Sequence, residues 1–330
     1  MSKIIANPKT YTGEELATTF FRPMLNGENA IDLGIRVLYN MPVPTTINFF
    51  KRSGDALKTY AKGWSGSNNT ERYQKTINLS KVKAEMSYAA ADYFSMVYEK
   101  IVASADVNLG DLSGTELESA ETELFRNSIT ESIRATMWVG DTTRTGNYST
   151  FDGLLKRIKD DVGTGSNDIT KVNMLSMETD GNGEKLLQNI YEASSSELRA
   201  LKKDGELVFF VTRDVYENYE NSLFSGDLDS ARSAKINGID KLYYHGIEVV
   251  DMGVDSYLDE VDDLPASWAI LTHKQNLAMA VNTSDFAGAQ IHMWYNPDEL
   301  ENRQRAIFLA GCDYLVPELL VASHTSSSLS

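Results

Sequence analysis

The chain of 330 residues carries 47 acidic against 31 basic side chains, a net charge of −16, which argues against a coat for nucleic acid, since such proteins bind by displacing counterions with Lys and Arg. One cysteine, Cys312, excludes a disulfide framework, and no run approaches the roughly 18 consecutive apolar residues of a membrane helix. The length exceeds the usual domain of roughly 100–200 residues, so the chain holds two domains or one elaborate one, with a core large enough to fold without metal or disulfide.

The start, MSKIIANPKTYTGEEL, lacks the apolar block of a signal peptide, and a cytoplasmic setting is expected. Thr12-Gly13-Glu14-Glu15 is a capping box with Tyr11 and Leu16 as its staple, predicting a short helix from Gly13 that Pro23 stops. Residues 1–40 are expected to form an arm. TTINFFKR, Thr45 to Arg52, is rich in β-formers, and ERYQKTINLSKVKAEMSY, Glu71 to Tyr88, alternates in hydropathy, so the two predict a hairpin joined by a polar, Gly-rich stretch. The alternation changes phase between Leu79 and Val82, which predicts a bulge at Ser80-Lys81. With one apolar face and many charges, little of the hairpin is expected to be buried in its own subunit. A long exposed hairpin requires a partner to cover it.

Ser113-Gly114-Thr115-Glu116 is a second capping box. It opens a helix of about seven turns whose stripe Leu117, Ala120, Leu124, Phe125, Ile129, Ile133, Met137 recurs at three and four residues until Gly140. FDGLLKRI follows a loop of Thr, Gly and Asn. Helices are predicted at 183–203 and 214–223, flanking the buried strand ELVFFVT. Strands then dominate: KLYYHGIEVVDMG around a turn at His245-Gly246, WAILTHK, AQIHMWYN, and RAIFLAGCDYLVPELLVASH as one long closing strand before a disordered tail, HTSSSLS.

Chemistry is scarce along this path. The four histidines, His245, His273, His292 and His324, are dispersed, and no HExxH or CxxC spacing occurs. GWSGS at Gly63 lacks the strand and helix of a nucleophile elbow, and GTGSND at Gly163 does not open a helix as a dinucleotide loop must. Cys312 has no activating base and is expected to be a buried small hydrophobe. The acidic run Asp251 to Pro265 is the one place where a hard cation could sit, yet it lacks calcium-loop spacing and is expected to be a solvated loop. No catalytic, cofactor or metal residues are assigned, and no enzyme is expected. Charge distribution is more informative: residues 51–100 carry nine basic and five acidic side chains, net +4, whereas 251–300 carry one basic and nine acidic, net −8. Such windows suit either solvated faces or a contact between subunits.

The order of these elements resembles the major capsid protein of tailed bacteriophages, the Hong Kong-97-type fold. The resemblance rests on the arm, the basic hairpin, the strand entering at VKAEMSYAAADYF, the long helix ending ATMWVGD and the FDGLL that follows. In the second half it rests on LVFFVT, RDVYENYENSL, YYHGIEVV, WAILTHKQNLAMAV and FLAGCDYLVPELLVA. It implies an α+β fold with an N-terminal arm (1–40), an extended loop (41–90), a peripheral domain with a long spine helix (91–165 and 286–330) and an axial domain (166–285). FDGLLKRI would be a packing element, its Phe151, Leu154, Leu155 and Ile158 against the body. The implied function is a structural subunit of an icosahedral shell, built as hexamers and pentamers around double-stranded DNA, assembled in the host cytoplasm and residing in the virion. A separate scaffolding protein and a portal are implied partners, with no cofactor and no membrane. Lys51, Lys58, Lys62, Arg72, Lys75, Lys81 and Lys83 are expected to face acidic groups of an adjacent copy. An encapsulin-like compartment shares this fold, and a cytosolic hydrolase or transferase with a scattered carboxylate site is the reading from another class.

Overall fold

A computed structural model describes residues 9–12, 33–39, 45–52, 62–63, 70–89, 116–163, 169–225, 233–236, 239–282, 290–296, 298–299 and 301–325. In chain order, strands β1 (Lys9–Thr12), β2 (Arg36–Tyr39), β3 (Thr45–Arg52), β4 (Thr70–Ile77) and β5 (Ser80–Ala89) precede helices α1 (Glu116–Val139) and α2 (Leu154–Asp161). Then come β6 (Thr170–Asn173), α3 (Asn182–Ala193), α4 (Ser196–Ala200), β7 (Leu207–Val211) and α5 (Arg213–Ser225). The remainder holds β8 (Ser233–Ile236), β9 (Ile239–Tyr244), β10 (Ile247–Asp251), the single turn α6 (Asp255–Leu258), β11 (Trp268–His273), β12 (Leu277–Asn282), β13 (Gln290–Asn296), β14 (Glu301–Tyr314) and β15 (Leu320–His324).

Fourteen residues make β14 the longest described strand and the spine of the first sheet. It pairs with β13 along residues 301–307, with β12 along 309–314, and with β5 along 301–310, all antiparallel. β1 extends this sheet beside β13, and β2 lies parallel to β12. The second sheet runs β6-β15-β11-β7-β10-β9-β8. Its period-2 alternation sends side chains to two cores. Val208, Phe210, Trp268, Ile270, Leu320 and Ala322 meet α1, α2 and the first sheet, whereas Leu207, Phe209, Val211, Ala269, Leu271 and Val321 meet α3, α4 and α5. That double burial explains why LVFFV, Leu207 to Val211, is apolar at every position instead of at every second one.

In α1, Phe125, Ile129, Ile133 and Met137 are buried on one stripe, as their spacing predicts, while Leu124 stays exposed. The hydroxyls of Thr130, Ser132 and Thr136 donate back to the carbonyls of Arg126, Ser128 and Ser132 at 2.7–2.8 Å. These polar residues thereby satisfy themselves inside the helix. Phe151, Leu154, Leu155 and Ile158 are all buried, so FDGLLKRI is a packing element. Its approach to α1 depends on two glycines. Gly153 N–H donates to the Gly140 carbonyl at 2.8 Å, and a Cβ on Gly153 would stand 2.6 Å from Gly140 N and from the Trp138 carbonyl.

Several sequence expectations change at this level. The helix predicted from Gly13 and the cap at Ser113–Thr115 lie outside the described residues, as does the end of the tail; within the arm, β1 and β2 are clasped into the first sheet. The phase change after Leu79 is no bulge: β4 ends at Ile77, Asn78-Leu79 belongs to no strand, and β5 restarts on a different partner, so the parity switches where the chain switches sheets. Of the hairpin region's described side chains only Ile77 is fully covered and Val82 nearly so, so little of what is described there is buried in its own chain. The helix predicted over 183–203 breaks at Ser194-Ser195. There the Ser195 hydroxyl accepts from Leu198 N–H at 3.0 Å and caps a new helix, α4. The closing strand is two strands in two sheets, divided at residues 315–319. His324, expected in the tail, ends β15 with its ring against Trp268. Asp251 to Pro265 is no solvated loop, because Met252, Val254, Tyr257, Leu258, Val261 and Leu264 are buried in the first core.

Candidate assembly surface

Strands β3 and β4 form a two-stranded sheet of their own, in register from Thr45↔Ile77 to Arg52↔Thr70, and share no ladder with the two larger sheets. Two strands alone are marginal in water, so their stability comes from what lies against them. At the root, Ile77 packs with Leu38, Ala278, Ala280 and Leu315, with Ile47 and Leu79 at the edge. Among the other described side chains of the ribbon, Thr46, Gln74 and Thr76 are exposed.

The seven basic residues of this region separate by position. Lys58 lies outside the described residues, as do the side chains of Lys51 on β3 and Arg72 on β4. Lys62 is exposed. Lys81 and Lys83 are exposed on β5, on the face opposite Val82 and Ala84, and Lys83 pairs with the equally exposed Glu85 at 2.8 Å. Lys75 is different. Its ammonium stands 3.4 Å from Asp313 Oδ1 and 4.2 Å from the centre of the Tyr314 ring, both on β14 of its own chain. Within the acidic window, Asp259, Glu260, Asp262, Asp298 and Glu299 are exposed. Asp263 instead holds Arg144 at 2.5 Å, and its main-chain carbonyl accepts from Lys159 Nζ at 2.6 Å.

Beside α1 lies the tightest polar network. Asp152 Oδ1 accepts from Thr142 N–H at 2.9 Å, from the Thr142 hydroxyl at 2.8 Å and from Lys156 Nζ at 3.1 Å. Asp141 Oδ1 likewise accepts from Thr143 N–H and hydroxyl and pairs with Lys156 at 3.0 Å. Burial pushes both carboxyls up, but the threonine donors and Lys156 outweigh it and hold them below the usual range. Tyr148 donates to Glu260 and Tyr257 to Glu131; burial followed by these carboxylates pushes Tyr148 up to about 12. Each pair is a structural tie between α1, its following loop and the 251–265 segment.

Reactive chemistry is hard to assemble from these groups. Cys312 is fully buried, with Sγ 3.3 Å from the Asp152 carbonyl, and burial pushes its thiol up to about 12, so it is no thiolate nucleophile. His245 sits at φ 50° in the β9–β10 turn, His273 ends β11, and His292 lies in β13. Among the described residues no three metal-binding side chains converge, and no helix is long and apolar enough to cross a membrane. A hollow of about 490 Å³ between β5 and α1 is lined by apolar Val82, Met86, Phe125 and Phe308 together with polar Glu85, Ser132 and Asn147.

Two residues that hold the architecture together, Asn276 and Asp313, match no sequence motif. Asn276 is buried where β11 crosses into β12; its Nδ2 donates to Thr272 Oγ1 and the Val316 carbonyl at 3.0 Å, and its Oδ1 accepts from Val316 N–H at 2.8 Å. Asp313 is buried at the foot of the ribbon, with Arg157 Nη1 3.4 Å from Oδ2, and burial, partly offset by Arg157 and Lys75, pushes its carboxyl up. An aspartate inside the apolar run FLAGCDYLV was the one available hint.

The mixed helix-and-sheet architecture is similar in fold to chains of phage capsids. In particular it is similar to a chain of the satellite phage P4 procapsid solved with its size determination protein, at 9% identity over 92% of this chain and 97% of that one, TM-score 0.56. A chain from the capsid of an empty GTA particle matches at 12% identity over 91% and 90%, TM-score 0.50. An encapsulin complex from Synechococcus elongatus PCC 7942 matches at 10% identity over 88% and 86%, TM-score 0.47. No protein-family model and no curated protein matches the chain.

Proposed function

We propose that this chain is the major structural subunit of a tailed-phage-type capsid, self-assembling through hexamers and pentamers into an icosahedral shell that encloses double-stranded DNA, and acting without catalysis. The observation that carries this reading is the match to a procapsid chain over 92% of this chain and 97% of the other, so that the likeness spans nearly the whole chain and not one motif. The separate β3–β4 sheet supports it, since a two-stranded ribbon, marginal by itself, gains stability when a second copy lies beneath it, and head-to-tail contacts of that kind continue from copy to copy. The net charge of −16 suits a container that holds DNA without adhering to it.

In this reading, residues 1–40 are the arm, 41–90 the extended loop, 91–165 with 286–330 the peripheral domain, and 166–285 the axial domain. β12 joins the sheet of the former and β15 that of the latter, binding the two together. Lys81, Lys83 and Lys62, with Lys51, Lys58 and Arg72, face acids of the adjacent copy. A separate scaffolding protein and a portal complete the particle in the host cytoplasm. Negative-stain microscopy of the expressed chain, alone and with its scaffold, is expected to show closed shells or capsomers. A small discrete oligomer under every condition overturns the proposal, and shells loaded with an enzyme cargo instead of DNA would favour a compartment of the encapsulin kind.

A further inference from the structure

Beside the apolar root at Ile77, the polar and close backbone contacts of the β3–β4 ribbon region with its own body fall on one stretch of β14, residues 311–314. Lys75 and Ile77 are two residues apart on β4 and so share a face. Ile77 is fully buried, and Lys75 bridges the Asp313 carboxylate and the Tyr314 ring, with the Lys75 side chain 25% exposed and that of Asp313 4% exposed. From the other side Arg157 of α2 holds Asp313 Oδ2, and the Tyr314 hydroxyl donates to Asp161 of the same helix. Immediately after Ile77, the Asn78 carbonyl lies against Gly311 so closely that a Cβ there would collide with it. Asn78-Leu79 belongs to no strand, so no ladder hydrogen bond fixes the angle between ribbon and β5.

We propose that Lys75, Asp313 and Gly311 form a latch that sets the direction in which the hairpin leaves its own subunit, so that Lys75 works within its chain and not on a neighbour. The purpose of the latch rests on the capsid reading, because the ribbon's direction decides which surface of an adjacent copy it meets. The physical argument does not. An ammonium beside a nearly buried carboxylate cannot leave without exposing that charge to a poorer environment, and the Tyr314 face adds attraction for the same cation. Gly311 removes the one side-chain atom that would wedge the root away from β14.

The test is hydrogen exchange on the unassembled chain. Lys75→Met is expected to raise exchange in β3 and β4 about tenfold while leaving β7 and α1 unchanged, whereas Lys75→Arg stays close to the parent. Gly311→Ala is expected to loosen the same strands; should it fail to fold, the Lys75 pair of variants still decides. Unaltered exchange in Lys75→Met, or an equal rise throughout the molecule, overturns the latch. Shell formation by the parent chain is scored separately: its failure counts against the capsid reading alone, and flat exchange alongside normal shells counts against the latch alone.

Discussion

Gly153 shows how much one hydrogen atom decides. The loop from α1 to α2 turns back so sharply that Gly140 and Gly153 pass with their backbones in hydrogen-bond contact. Gly153→Ala would place a methyl 2.6 Å from Gly140 N and the Trp138 carbonyl, and a loss of about 1–3 kcal/mol in urea denaturation is expected, since neither neighbour is a flexible side chain. Asp152 carries the charge half of the same loop. Its carboxyl is lower in the folded chain than its usual 3.8, held there by Thr142 and Lys156 against burial. The stabilisation is therefore fully present above that value and is lost as pH falls through the lowered native one. Asp152→Asn should cost about 1–2 kcal/mol near neutral pH. The drop in denaturation midpoint between about pH 6 and about pH 3 should be shallower than in the parent.

Elements are joined at crossings that local pattern does not reveal. β11 passes from the second sheet into β12 of the first, and β14 passes from the first into β15 of the second; Asn276 stands between the two crossings and satisfies both main-chain groups of Val316. Asn276→Leu would keep the branched shape but strand the Val316 N–H and carbonyl. A loss of about 2–4 kcal/mol is expected, with raised hydrogen exchange at residues 315–319. An unchanged midpoint would mean that water replaces the amide. Legibility at this scale followed periodicity. The stripe of α1 and the apolar run of β7 were readable because each meets one or two continuous cores. The break at Ser194-Ser195 and the division at Pro317 were not, since a continuous apolar pattern cannot say whether successive stretches face the same partner.

For the molecule as a whole, charge complementarity predicts assembly behaviour. Reversing Lys81 and Lys83 to Glu is expected to leave the isolated chain's stability within about 0.5 kcal/mol, as both are exposed. Shell yield should fall, and what assembly remains should respond less to added salt, measured by light scattering over a salt series. Assembly identical to the parent at every ionic strength would remove these lysines from the contact. Lys75→Glu is predicted to act differently: it weakens the ribbon already in the unassembled chain, because its partner is Asp313 of the same molecule.

By itself the sequence carried, in the order of its elements, the resemblance that implied the class of architecture, and it showed the scarcity of His and Cys, because both are properties of which residues follow which. It also placed Phe151, Leu154, Leu155 and Ile158 inside, since apolar side chains at helical spacing have one favourable place to go. Only the tertiary structure decided which strand pairs with which, that the phase change after Leu79 marks a change of sheet, and that Lys75 belongs to Asp313. Those outcomes turn on contacts between residues far apart in the chain, such as 75 with 313 and 276 with 316, whose free energy exists only once the two segments have been brought together.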